Sequence, residues 1–194
     1  MVTPRRLADL RIVRYGHPAL RQPAQRVGRV SAKLGELAER MAELMEEASG
    51  LGLAANQVGI PRRLAVVKVE GEIAVLVDPQ ITSAEGTETV VEGCLSLPRL
   101  YADVHRPSRV VMRARDLSGK RFELVAEGLL ARAICHEIDH LDGKLFIDRA
   151  EESTLHWLVG ATDEGEQLTQ PTTLEEALKV FTASLPPPSR GARR

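Results

Sequence analysis

Residues 135–143 read Cys-His-Glu-Ile-Asp-His-Leu-Asp-Gly. They contain the pattern His-Glu-x-x-His. Two histidines four apart on an α-helix lie one above the other, about 5–6 Å apart at Cβ, which suits two ligands of one metal ion. Stepping about 100° per residue places Leu130, Ile134, Ile138 and Leu141 on one stripe that faces a core. His136 and His140 fall on a second face. Glu137 lies between the two faces, so its carboxylate can lean over a metal from a half-buried ledge. Leu129 and Ala133 share the histidine face and are expected to line the space beside the metal. Gly143 supplies the left-handed residue that ends the helix.

Two histidines do not hold a catalytic metal, and a third protein ligand is needed. Downstream, His156 lies in an amphipathic run, and Glu151 and Glu152 fall in an exposed first turn. Upstream, Glu92-Gly93-Cys94-Leu95-Ser96 sets one of only two cysteines in a glycine-flanked turn after an apolar run. Cys94 is the better candidate. Cys135 points about 100° or more away from both histidines, which argues against a closed four-ligand structural zinc site.

The chain of 194 residues is long enough for one domain with a sizeable core and room for an appendage. Aromatic residues make up only 3% of it, so that core must be aliphatic. The formal net charge is −1 with both signs interspersed, which leaves no electrostatic footprint for sequence-specific nucleic acid or for a membrane. Met1 to Leu10 carries arginines but no apolar segment, and no run is long enough to span a bilayer. Two cysteines make a poor disulfide framework. The expected setting is a reducing cytoplasm.

Residues 11–30 read as an irregular arm. Ser31 opens a long amphipathic helix whose apolar positions include Leu34, Leu37, Met41, Leu44 and Met45, and Gly50 ends it. Residues 50–59 superficially match a dinucleotide-binding fingerprint, but that turn must follow a strand and start a helix, whereas this one follows a helix and precedes a strand. A glycine-rich loop that approaches a ligand, with Gln57 as a neutral amide donor, fits better. Strands are expected at 64–69 and 73–77, turning at Glu70-Gly71, with Asp78-Pro79 breaking the second. Residues 80–91 extend into the Cys94 turn. Arg109 to Arg115 and Arg121 to Val125 form a hairpin around Ser118-Gly119, followed by the helix at roughly 127–142. A short helix is expected at 151–160 and a polar loop at 161–172. A capping box at Thr173-Leu174-Glu175-Glu176 opens a helix to about Ser184, followed by a frayed basic tail. The order predicts an α+β fold. Antiparallel β-sheets pack around a central metal-binding helix, with an N-terminal amphipathic helix and a C-terminal helical extension. The division is 1–160 catalytic and 161–194 extension.

Three stretches in this order, Gly50–Gln57, Glu92–Ser96 and Cys135–Gly143, resemble the G-x-G-x-A-A-x-Q, E-G-C-L-S and Q-H-E-x-D-H-x-x-G motifs of the peptide deformylase family. The resemblance covers about residues 5–150. It implies removal of the N-formyl group from N-formylmethionyl nascent chains, with release of formate. It implies that Cys94, His136 and His140 hold one divalent metal, Fe²⁺ first, with Zn²⁺, Ni²⁺ or Co²⁺ as replacements. Glu137 then acts as general base and acid, and the Leu95 backbone N–H and the Gln57 amide stabilise the oxyanion. The extended substrate pairs with Gly50, Gly52 and Gly93, and its methionine enters a pocket containing Leu51, Leu129 and Ala133. A passing contact with the ribosome is implied as well. The family's glutamine before the first histidine is Cys135 here. Glu92, Arg106 and Asp139 are expected to steady the site in its place.

Two rival readings stand beside this one. A metalloprotease would share the helix but take a downstream carboxylate or histidine. A non-catalytic relative would keep the fold and only bind peptide, although Glu137 and Gln57 are intact.

Overall fold

A computed structural model describes residues 7–162 and 165–183 of the chain. The basic tail expected after the last helix lies outside the described residues. Two antiparallel sheets and two helices enclose the centre. The first sheet has the strand order β1-β2-β3-β6-β7, formed by Gly52–Ala54, Leu64–Val69, Glu72–Glu85, Arg109–Arg115 and Arg121–Glu127. The second has the order β4-β5-β8-β9, formed by Glu88–Cys94, Leu97–Arg106, His156–Ala161 and Gln167–Pro171. β1 and β4 are therefore edge strands, one from each sheet.

Helix α1 spans Ala32–Glu47 and buries Leu37, Met41, Leu44 and Met45, the stripe its spacing predicts. Ser31 occupies the N-cap position but makes no side-chain cap bond there. The left-handed residue at the other end is Ser49 (φ 54°), not Gly50, whose N–H instead closes on the Met45 carbonyl at 2.8 Å. Helix α2 spans Gly128–Leu141 and packs on β1, β2 and β7. Ile134, Ile138 and Leu141 are buried as the stripe requires, with Leu130 half-buried at the edge. Gly143 has φ 76°, and a Cβ there would press on the Arg21 carbonyl at 2.9 Å, so the turn admits little else.

Three local expectations change. Asp78-Pro79 does not end the second strand: β3 runs on to Glu85, and its pairing with β6 shifts register between Val77 and Gln80. Asp78 adopts φ 53° at that bulge, and its carboxylate accepts from the Val27 N–H and from Arg115. The stretch 151–160 is a single 3-10 turn, Glu152–Thr154, followed by strand β8, and the expected loop after it contains strand β9, Gln167–Pro171. His156-Trp157-Leu158-Val159 is aromatic and β-branched. Pairing of Trp157 with Leu100 in β5 outweighs the weak helical pattern. Helix α3 spans Leu174–Ala183, and its Ala177 and Phe181 bury against the core that holds Leu97, Leu100 and Phe146.

Candidate metal centre

Three elements meet at one buried point. Strand β4 ends at Cys94 in a turn, the 3-10 turn Ala55–Val58 carries Gln57, and α2 carries His136, Glu137 and His140. Cys94, His136 and His140 each present one ligand atom, and these three atoms lie within 4.8 Å of one another. The Cys94 Sγ is 3.2 Å from His140 Nε2. A thiolate and two imidazoles converging at that range form a borderline-soft donor set that fits Zn²⁺ or Fe²⁺. Cys135 does not join them. It lies in the opposite core with Ile134 and Ile138, and burial pushes its thiol up to about 11. His156 is elsewhere too, stacked on Tyr101 at 6.1 Å, and Glu151 and Glu152 are exposed.

The rings are held from behind. His136 Nδ1 lies 3.1 Å from Glu92 Oε2, which leaves Nε2 for the metal side. Glu92 accepts both Nε and Nη2 of Arg106, at 2.8 and 2.9 Å. Arg106 reaches on through Nη1 to Asp139, which also takes a two-pronged grip from Arg149 at 2.7 Å on each oxygen. Burial alone would raise the Glu92 carboxyl, but the bonds from His136 and Arg106 outweigh it and hold Glu92 down at about 2. Burial works against charge on both rings. The Cys94 and Glu92 contacts nonetheless hold His136 well above its ordinary value, whereas His140, buried beside His136, falls well below.

Glu137 is 3% exposed, and burial pushes its carboxyl up to about 7. Its Oε2 is buried with no hydrogen-bond partner among the described residues, so a polar group is still owed to it. A Cβ on Gly52 would fall on this carboxylate, so the strand can pass so close only as glycine. Gln57 is oriented by its own backbone: Oε1 accepts the Ala54 N–H at 2.8 Å, which turns Nε2 toward Cys94 Sγ at 3.6 Å and Ser96 Oγ at 3.4 Å. The amide thus offers its N–H to the metal side.

A cavity of about 620 Å³ opens over this point. Gly50, Leu51, Gly52, Gln57, Glu92, Gly93, Cys94, Leu95, Ala133, His136 and Glu137 line it, so the structure brings together nearly every residue singled out from the sequence. Leu129, expected to line the substrate pocket, is not in the lining: it sits in the first turn of α2, 52% exposed. Arg106 and Asp139 face a second cavity, which Cys135 also lines. Cys94 and Cys135 therefore look into different spaces. Sequence reasoning passed over Ser96, whose N–H points at Cys94 Sγ at 3.4 Å, and Asn56, whose side-chain amide donates to the His140 carbonyl. Both adjoin residues that were chosen, and both are fully buried polar side chains. It also missed Arg132, although Arg132 stands one helical turn before His136.

The polypeptide deformylase family model matches residues 9–156. A peptide deformylase of Rhodopirellula baltica is 44% identical over 160 residues, 80% of each chain. One of Caldicellulosiruptor bescii is 49% identical over 144 residues, covering 74% of this chain and 86% of its own. Among solved structures, a peptide deformylase of Synechococcus elongatus in complex with actinonin aligns with TM-score 0.71 and 46% identity, covering 74% of this chain and 79% of that one. The Arabidopsis thaliana peptide deformylase 1B, in complex with an inhibitor, aligns with TM-score 0.74 and 34% identity over 94% of this chain and 98% of that one.

Proposed function

The chain belongs to the polypeptide deformylase family, and from that premise we propose how its own residues carry out the reaction. It is a hydrolase that removes the formyl group from N-formylmethionyl chains and releases formate. The observation that carries the assignment of roles is the convergence of Cys94, His136 and His140 beside the buried Glu137 carboxylate.

Cys94, His136 and His140 would hold one divalent cation, Fe²⁺ in our reading, with Zn²⁺, Ni²⁺ or Co²⁺ able to replace it. When bound, the cation supplies Lewis acidity that makes water nucleophilic near neutral pH. Glu137 takes the proton of the attacking water as the C–O bond forms, and then delivers it to the amine nitrogen as the C–N bond breaks and the formyl C=O is restored. Its raised carboxyl suits both directions of transfer near neutrality. The formyl oxygen gains negative charge, which the Gln57 Nε2–H and the Leu95 backbone N–H receive. Glu92, fixed by Arg106 and Asp139, keeps the His136 ring turned to the metal.

The substrate lies extended between the edges of β1 and β4, pairing with Gly50, Gly52 and Gly93, and its methionine enters beside Leu51 and Ala133. Because the substrate is a nascent chain, the enzyme meets it in passing contact with the ribosome. We place catalysis in residues 1–160 and treat 161–194 as a C-terminal extension, a division in keeping with the family match at 9–156. No helix among the described residues is long and apolar enough to cross a membrane, and a cytoplasmic setting suits this substrate. The test is formate release from formyl-Met-Ala-Ser by protein purified without oxygen. Stoichiometric formate with free Met-Ala-Ser is expected. Binding without release would make the chain a non-catalytic relative.

A further inference from the structure

The catalytic cavity has a basic mouth. Arg14, Arg99 and Arg132 line it together with Glu137. None of the three has a carboxylate partner among the described residues. Arg99 Nε donates to the Leu158 carbonyl at 2.7 Å and Arg132 Nη1 to the Val91 carbonyl at 3.5 Å, so both are oriented by neutral groups and their charge is uncompensated. Some surface arginines are neutralised, as Arg109, Arg113 and Arg115 are by carboxylates, and others such as Arg62 and Arg121 are not, among the described residues; what sets Arg14, Arg99 and Arg132 apart is that all three line one cavity. Only two carboxylates line the cavity, and neither is free to answer the arginines. Glu92 is held by Arg106 and His136, and Glu137 lies at the catalytic floor.

The three cations come from separate elements and converge on one opening. Arg132 stands one turn above His136 on α2. Arg14 lies in the N-terminal arm, where its neighbours Val13 and Tyr15 donate to the carbonyls of Gln57 and Ser96 at 2.8 and 2.9 Å. Arg99 follows the Cys94 turn on β5 in a left-handed conformation, φ 67°. A chain extended from the catalytic floor rises about 3.3 Å per residue, so its second and third residues reach the mouth.

We propose that Arg14, Arg99 and Arg132 form an anion-selecting rim, and that this enzyme favours formylated chains carrying aspartate or glutamate just after the first methionine. The inference rests on the deformylase reading and names its substrate class. Exposed ion pairs are each worth up to about fivefold in affinity. The rim lies away from the reacting carbon and contacts substrate and transition state alike. Its effect therefore belongs in KM more than in kcat.

The test uses metal-loaded enzyme and three C-terminally amidated peptides, formyl-Met-Asp-Ser, formyl-Met-Ala-Ser and formyl-Met-Lys-Ser. Rates are measured at about 20 mM and about 0.5 M salt, on either side of effective screening. At low salt kcat/KM should fall in the order Asp, Ala, Lys, with about tenfold between the extremes, mostly through KM. High salt should compress that span to about twofold. The combined Arg14→Gln, Arg99→Gln and Arg132→Gln variant should bring the Asp/Lys ratio near one. Equal rates for the Asp and Lys peptides at low salt, or a ratio unchanged in the folded triple variant, would overturn the rim. If the variant fails to fold, the salt series on the unaltered enzyme decides alone. Cleavage of the Ala peptide without charge discrimination refutes only this inference. No formate from any peptide refutes the deformylase reading itself.

Discussion

At the scale of single residues, the proposed mechanism gives both proton transfers to Glu137. The other cavity carboxylate, Glu92, is held by Arg106 and turned to His136. Glu137→Gln keeps the shape and removes the base, so kcat should fall by about 10²–10⁴ while metal content stays at the unaltered level. Stopped assays with parallel metal analysis check this, and a variant retaining most of its kcat would assign the proton transfer elsewhere. The residue types were legible because each chemical role leaves a pattern in one dimension: the i, i+4 histidines, and a cysteine in a glycine-flanked turn. Leu129 shows the limit. Helical angle alone put it with Ala133, but it lies at the exposed start of α2, where the cavity does not extend. Ser96 was hidden for the opposite reason, because its importance is the distance to a sulfur and to an amide from another loop.

At the scale of elements, the ion network behind α2 joins β4, β5, α2 and the turn after it through Glu92, Arg106, Asp139 and Arg149. The Arg106 side chain is 4% exposed, and its partners Glu92 and Asp139 are 3% and 8% exposed. Arg106→Leu leaves two buried carboxylates short of their cation and should destabilise the protein by about 3–5 kcal/mol in urea unfolding. It should also loosen His136 and weaken metal binding by about tenfold or more. Unchanged metal affinity would separate the network from the site. A milder tie joins Arg21 to Asp148, whose carboxylate also caps the Leu145 N–H. Burial alone would raise Asp148, yet Arg21 and that N–H hold it below its ordinary value of 3.8. Its stabilisation is therefore complete above pH 3.8 and is lost as pH falls through the depressed folded value. Both side chains are partly open to water (42% and 36%), so the contribution stays below about 1 kcal/mol. Asp148→Asn should flatten the acid limb of the stability curve by that amount, and a steeper limb would contradict the assignment. Helices α1 and α2 were legible because their apolar period is strong. The bulge at Asp78-Pro79 and the strand β8 were not. The first depends on partners 37 and 51 residues away, and the second on a neighbour in β5.

At the scale of the whole molecule, two sheets each offer an edge strand to one cavity, and a helix seals its floor. The sequence pattern disclosed the α+β class and the two long helices, since both follow from local period. It did not disclose that strands β8 and β9 extend the second sheet, or that Phe181 packs on Trp157 at 5.5 Å and closes the core beyond β8. Those pairings join distant parts of the chain and leave little local trace. The proposed metal centre depends on a contact of the same long-range kind, a turn at residue 94 brought to a helix 42 residues later. X-ray absorption at the metal edge of anaerobically purified protein tests that contact directly. The expected result is one metal per chain whose ligands include one sulfur and two imidazoles, with the sulfur signal lost in Cys94→Asp. A fully loaded metal without a sulfur neighbour would contradict it.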